Sequence, residues 1–492
     1  MELRVQPDRE TFDALAHDWP MVPVWAELLA DVSTPVGLFP GLAGEGSGIL
    51  LESVERSERW GRYSFVAGDP AALIVGDADG LRLENQSRDL PVTDMSGDVL
   101  TALRSVAREL RAPRESGLPP LTGGFMGMLT YEAARLLDGH PFPAGDEALL
   151  PPIQLQVVDR AVVFDHWQQR LLLVAHVPSA DHGAYLRGVE ALESLAAAVL
   201  SATPPEPEAI EDLTRSDFSY ETNMPDETYM QIVATMKEHI LAGDIFQGVP
   251  SRRVTLPATR GAMPIYRRLR LTNPSPYMFL LRMPGLELAG SSPEPHVRVD
   301  GRRVSMRPIA GTRPRGGTDD DDRRLEAELL ADPKELAEHA MLVDLARNDL
   351  GRVCAPGTVD PTELMVVERF SKVMHIVSTV EGNLADGQTP LDALAVTFPA
   401  GTVTGAPKRR AMELIAEHEP TPRGPYAGAV GYLTFAGDLD FCITIRTACV
   451  ADGKVTVQAG AGIVADSDPA TELAESKAKM SALLPAIAGG AT

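Results

Sequence analysis

The stretch Lys334–Arg352 reads KELAEHAMLVDLARNDLGR. Its pattern predicts a helix, on which Glu335 and Glu338, three residues apart, share one face. Ala337, Ala340 and Met341 fall toward the opposite, apolar side, which is expected to meet the core. The spacing returns near the end of the chain in TELAESKAK, where Glu472 and Glu475 are again three apart. Either pair alone describes an ordinary solvated helix face. Two such faces, far apart in sequence, are also what a hard divalent cation such as Mg²⁺ requires: a few carboxylate oxygens, with room left for water and substrate. The surrounding sequence has to decide between these readings.

At 492 residues the chain holds two or more domains' worth of core. A net charge of −24 opposes nucleic acid as a partner, because its phosphates would be repelled. An anionic substrate remains compatible, provided cations and backbone N–H groups gather locally. The three cysteines, Cys354, Cys442 and Cys449, form neither a disulfide framework nor a zinc cluster, which fits a reduced, cytoplasmic setting. No basic n-region with an apolar run opens the chain, and no segment has the length of a membrane span.

Residues 1–200 read as strands with interspersed helices. Val36–Phe39, Gly48–Glu52, Ile153–Phe164 and Leu171–His176 are expected strands, Asp79–Gly80 marks a hairpin, and Asp98–Leu110 and Tyr185–Leu200 have helical spacing. Residues 201–225 are dense in proline and acid and read as a linker. A second unit, residues 226–488, opens with a helix over Glu227–Ala242 that Gly243 ends. Strands follow in IFQGVPSRRVTL, at Met278–Leu281, and on either side of Asp300–Gly301 and Asp452–Gly453. Val373–Gly382 is a further strand, and Pro407 stands at the first turn of a helix reaching His418. Hairpins interleaved with helices define an α+β fold.

Several positions are suited to chemistry. GTVTGAPK, at Gly401–Lys408, is no Walker A loop, since its glycine spacing is one short and no Ser or Thr follows the lysine. A Gly/Thr-rich turn entering a helix is still a place for an anion, carboxylate or phosphate. Gly460 and Gly462, in QAGAGIV, let backbone approach a ligand closely. Arg446 lies among Ile443, Ile445 and Ala448 in what reads as a strand, and such an arginine calls for a carboxylate partner from protein or ligand. His375, in VMHIV, is either a hydrogen-bonded core residue or a site residue. Glu294, in GSSPEP, becomes a general acid if burial raises its pKa.

Ten segments in order, GDIFQGVPSRR, NPSPYMF, SSPE, RPIAGTRPRG, EHAMLVDLARNDLGR, MHIVSTVEG, FPAGTVTGAPK, IRTA, AGAGIV and ELAESKAK, resemble the chorismate-utilising enzymes from about Gly243 to Lys479. The resemblance implies a layered fold of central antiparallel sheets flanked by helices, with the site between them. It implies that Glu335, Glu338, Glu472 and Glu475 hold Mg²⁺ against the ring carboxylate of chorismate. Gly460 and Lys479 would lie beside that end, and Gly311 and Thr312 would also bind substrate. Arg446, Tyr426 and the Gly462 backbone would take the enolpyruvyl carboxylate. Glu294 would protonate the departing C4 hydroxyl, with His375 and Thr402 near the same ring face.

Two positions choose among chemistries. Gln247 stands where the water-activating members carry a lysine base, which ammonia does not need. Ala310, in RPIAGTR, stands where members that return the amine to C4 carry a lysine. The resemblance therefore implies amination at C2 and pyruvate loss to anthranilate, the first committed step of tryptophan biosynthesis. The alternatives are arrest at 2-amino-2-deoxyisochorismate, which keeps its enolpyruvyl group, amination at C4 to aminodeoxychorismate, and a non-catalytic tryptophan-sensing subunit. LLES, at Leu50–Ser53, and NPSPYMF resemble the family's tryptophan feedback site, whose lining would be Glu52, Ser53, Pro276, Met278 and Phe279. No amidotransferase motif with a nucleophilic cysteine is present, so ammonia is expected from a separate glutamine amidotransferase subunit in a hetero-oligomer.

Overall fold

The computed structural model describes residues 3–29, 31–53, 61–139, 150–208, 219–370 and 373–488. Among them, two eleven-stranded sheets dominate, with every ladder in both antiparallel. The sheets face one another. Ile49, Phe279 and Leu281 of one interdigitate with Met126, Met128 and Val430 of the other in a core that neither sheet could bury alone. Helices cover both outer faces. Val99–Glu109, Pro333–Gly351 and Pro390–Thr397 pack on the second sheet, and Pro35–Ala43, Ala184–Ser201 and Ala262–Thr272 on the first. This is the layered α+β arrangement expected from the sequence.

Strands from before and after residues 201–225 share both sheets. In the first, Gly48–Glu52 pairs with Tyr277–Met283, aligning Glu52 with Met278. In the second, Gly124–Leu129 pairs with Ala429–Thr434, aligning Leu129 with Ala429. Residues 209–218 of the expected linker lie outside the described residues. Its flanks are packed: Glu208 pairs with Arg267, and Glu221–Thr222 adds a short strand beside Ser251–Pro257.

Local signals worked where they were self-contained. Gly243 adopts a left-handed φ of 85° and its N–H reaches the carbonyl of Ile240, ending the helix Asp226–Ala242. Asp98 accepts from the N–H of Thr101 and starts the helix Val99–Glu109. Hairpins form at Asp79–Gly80, Asp300–Gly301 and Asp452–Gly453.

Four readings are corrected. Val36–Phe39 is helical, within Pro35–Ala43, because Thr34 caps the N–H of Gly37 and Pro35 stands at the first turn; a short apolar run cannot by itself separate strand from buried helix. Ile153–Phe164 is two strands, broken at Asp159, whose carboxylate binds Arg88. The expected strand through Arg446 stops at Ile443 and resumes at Thr447, with Arg446 itself at φ 50°. On the helix Pro333–Gly351, Ala337 and Ala340 are exposed; the buried stripe is His339, Leu342, Val343, Ala346 and Leu350, which leaves Glu335 and Glu338 half-buried against the sheet side. Pro407 caps the helix Lys408–His418 from just outside it.

Candidate active site

The elements carrying the expected site residues converge at one end of the sheets. A two-stranded ladder pairs Gln247 with Ala406 and Gly248 with Gly405, and Gly248 also exchanges hydrogen bonds with Ile463. Three distant segments, those of Gln247, Thr402 and Gly462, are thereby pinned together. The closeness explains the glycines. A Cβ at Gly462 would stand 2.7 Å from the Gln247 amide nitrogen, one at Gly460 would meet the Pro250 carbonyl at 2.4 Å, and Gly311 adopts φ 66° beside Glu335.

Glu294 follows the strand Leu286–Ser292, and its own carbonyl accepts from the N–H of Ile443. Its carboxyl is pushed up to about 7 by burial, which outweighs the opposing pull of the Thr402 hydroxyl, Lys479 and Arg446. The Thr402 hydroxyl is buried and makes no hydrogen bond of good geometry among the described residues. Glu294 and Thr402 also line an open pocket with Arg307, Leu345 and Asp349.

His375 sits in the strand Val373–Asn383. Its Nδ1 lies 3.0 Å from both the Gly311 carbonyl and the Thr312 hydroxyl. The carbonyl only accepts, so Nδ1 carries the proton and Nε2 keeps its lone pair. Burial holds the ring below its ordinary pKa and therefore neutral. The Arg446 guanidinium makes no ion pair or hydrogen bond among the described residues, and burial lowers its pKa while the charge of Glu294 opposes that shift. Strand geometry alone would have given it a fixed direction; the break at φ 50° turns it out of the ladder. Tyr426 is pushed up to about 12 by burial and neighbours the Gly460 N–H.

Both glutamate pairs reach the same region. Burial raises the pKa of Glu338, and the charges of Glu335 and Glu475 raise it further. Glu472 is 8 % exposed and raised by burial and by Glu475. Gln247 donates to Glu338 at 3.1 Å, and its own buried Oε1 lacks a partner among the described residues. Glu335 is held by Arg313 at 3.0 Å and Glu475 by Lys479 at 2.8 Å, while Lys479 also donates to the Gly460 carbonyl. No three of these carboxylates are gathered as a ready-made cluster among the described residues. Their donor set, all oxygen and mutually repulsive, fits a hard divalent cation that would draw them together. Lys408, read as part of an anion loop, is buried and bonds Asp349 at 2.8 Å and the Thr397 carbonyl at 2.6 Å. It anchors that loop to the glutamate-bearing helix and is not free to meet a ligand.

The residues expected to hold tryptophan lie about the first seam. Glu52 and Met278 are cross-strand partners. Glu52 accepts from the Tyr266 hydroxyl at 2.6 Å and from Arg270 at 3.2 Å, and the buried Ser53 hydroxyl has no partner among the described residues. Pro276 leads into the same strand. Phe279 does not join them: strand alternation turns it to the other face, where it packs in the core between the sheets over Gly290. Tyr266, Arg270 and Arg313 escaped the sequence reading, because nothing in their local pattern marks a partner tens to hundreds of residues away.

The family of chorismate binding enzymes matches residues 52–485, and the chain belongs to it. Its relatives narrow the comparison. It is 44 % identical over its whole length to anthranilate synthase component 1 of Mycobacterium bovis, covering 97 % of that protein. It is 46 % identical to the protein of the same name in Streptomyces coelicolor, over 98 % of this chain and 92 % of the relative. The crystal structure of anthranilate synthase component I from Streptococcus pneumoniae superposes with a TM-score of 0.75 at 33 % identity, over 93 % of this chain and 98 % of the other. The menaquinone-specific isochorismate synthase of Escherichia coli, at 19 % identity and a TM-score of 0.69, shares the fold. Among the described residues, no helix is long and apolar enough to cross a membrane.

Proposed function

We propose that this chain is the chorismate-aminating subunit of an anthranilate synthase. It uses Mg²⁺ held by Glu335, Glu338, Glu472 and Glu475, and ammonia supplied by a separate glutamine amidotransferase subunit. The observation that carries the proposal is a site with an acid and no lysine at positions 247 and 310. Glu294, at about 7, is a protonated donor near neutrality, while positions 247 and 310 are glutamine and alanine. A water nucleophile needs a base there; ammonia is nucleophilic without one.

In this reading Arg446, Tyr426 and the Gly462 backbone take the enolpyruvyl carboxylate, while Gly311, Thr312, Gly460 and Lys479 flank the ring. Glu335, Glu338, Glu472 and Glu475 would hold Mg²⁺, which would supply positive charge against these acidic faces and the ring carboxylate of the substrate. Ammonia adds at C2, the ring double bonds shift, and the C4 hydroxyl leaves as water with the proton of Glu294. Loss of the C2 proton and cleavage of the C3–O bond, with one proton taken up by the departing enolpyruvyl methylene, then give pyruvate and an aromatic ring. His375, neutral with Nε2 free, and the Thr402 hydroxyl stand by the reacting face. Tryptophan binding at Glu52, Ser53, Pro276 and Met278 supplies feedback, and the three free thiols fit a reducing cytoplasm. We assign residues 1–200 to a regulatory region that contributes to the tryptophan site, and residues 226–488 to the unit that carries the chorismate-binding residues.

Anthranilate fluorescence from the purified chain with chorismate, Mg²⁺ and ammonium, with and without tryptophan, tests the proposal. Anthranilate formation suppressed by tryptophan is expected. Chorismate consumed without pyruvate would instead mean an aminated product that keeps its side chain, and no consumption would mean a sensing subunit.

A further inference from the structure

The second seam holds a buried ionic cluster that the steps above do not use. Just past the pairing of Leu129 with Ala429, Tyr131 and Glu132 of the N-terminal half meet Arg423, which is 2 % exposed. Arg423 donates to Glu419 through Nε at 3.0 Å and Nη2 at 2.6 Å. Nη1 reaches the Val403 carbonyl at 2.7 Å and Nη2 the Val249 carbonyl at 2.6 Å. Val403 follows Thr402, and Val249 lies two residues after Gln247. The guanidinium carbon stands 4.6 Å from the centre of the Tyr131 ring and 5.5 Å from that of Tyr426.

Glu132 closes the arrangement. Its Oε1 accepts from the backbone N–H groups of Arg423 at 2.8 Å and Gly424 at 3.1 Å, and so fixes the turn that presents Tyr426. Glu419 in turn accepts from the N–H of Ser251 at 2.7 Å and its hydroxyl at 2.9 Å. A guanidinium removed from water is tolerated only with its charge and donors matched. Here the matching groups belong to the segments of Gln247, Thr402 and Tyr426, and to the other half of the chain.

We propose that Arg423, clamped by Glu132 and Glu419, is a positioning residue that sets Tyr426 for the carboxylate of chorismate, so that the N-terminal half contributes directly to substrate affinity. The inference rests on the proposed function for the role of Tyr426. Lysine at 423 keeps the charge but cannot span two carbonyls and a carboxylate at once.

Calorimetric titration of the full chain with chorismate and Mg²⁺, without ammonium or glutamine, separates this role from stability. Arg423→Lys and Tyr426→Phe are each expected to weaken Kd about tenfold, and the double variant no further than the weaker single, since both break one coupled unit. Unchanged affinity in Arg423→Lys, or a double variant weakened about a hundredfold as independent effects require, would overturn the proposal. If Arg423→Lys does not fold by circular dichroism, Glu132→Ala takes its place; it removes the acceptor of the Arg423 and Gly424 N–H groups while keeping Arg423 and Glu419, and the same non-additivity with Tyr426→Phe is expected. An unaltered Kd in Glu132→Ala would remove the N-terminal contribution. Wild-type protein that binds chorismate yet makes no anthranilate would sink the proposed function and leave the positioning role standing.

Discussion

Two carboxylates, the half-buried Glu294 and the buried Glu52, stand in the same molecule under opposite conditions. Glu52 has a tyrosine hydroxyl at 2.6 Å and an arginine at 3.2 Å, so its charge is matched within the chain. Glu294 lies near Arg446 and Lys479, but burial wins and raises it to about 7. Their arginines differ in the same way: Arg270 is paired, and Arg446 makes no ion pair among the described residues. A carboxylate whose oxygens are already bonded within the chain suits recognition. An unmatched one is a proton reservoir and suits chemistry.

The contrast is open to direct attack. The largest effect is expected at the metal end, where Glu338→Gln should abolish Mg²⁺-dependent turnover; retained activity would break the assignment of the acidic faces. Glu294→Gln removes the proton donor and should lower kcat by about 10²–10⁴-fold while chorismate still binds, measured by single-turnover kinetics beside a binding titration. The same acid predicts a pH profile. If protonated Glu294 is the proton donor proposed above, kcat/KM is expected to be level below its pKa and to fall as pH rises through about 7. A profile flat through that range would mean that Glu294 is not the donor.

Arg446→Gln should weaken chorismate binding roughly 10–150-fold, since a charged hydrogen bond is worth about 1.5–3 kcal/mol, with kcat less affected. The smallest change in turnover belongs to the other region. Ser53→Phe should relieve tryptophan inhibition and leave uninhibited turnover nearly intact; inhibition that persists would remove the regulatory assignment. Phe279→Ala sharpens the boundary of that region. Its ring faces the core between the sheets, so about 3–5 kcal/mol of stability should be lost in denaturant unfolding.

Much of the site was legible before any fold was known. Glu335 with Glu338, and Glu472 with Glu475, could be read from spacing because a helix turns every 3.6 residues whatever it packs against. Glu294 was legible only as a conditional acid, since its shift needs the surroundings that bury it. The expected core face of Lys334–Arg352 failed for a related reason: alanine lends itself to either side, and the larger Leu342, Val343 and Leu350 set the direction. Phe279 was misplaced because a motif gives neighbours in sequence, whereas a strand sends adjacent side chains to opposite faces.

The sequence by itself determined what depends on a few consecutive residues: the hairpins at Asp-Gly, the cap at Gly243, the two acidic helix faces, and the glycines that let backbone come close. Tertiary structure alone decided the partner of each charge. The Glu132 carboxylate found the backbone N–H groups of Arg423 and Gly424 across the second seam, Glu52 found Arg270 across the first, and Arg446 makes no ion pair among the described residues. Pairing and desolvation depend on which groups share a small dry volume, and these groups come from segments up to some three hundred residues apart.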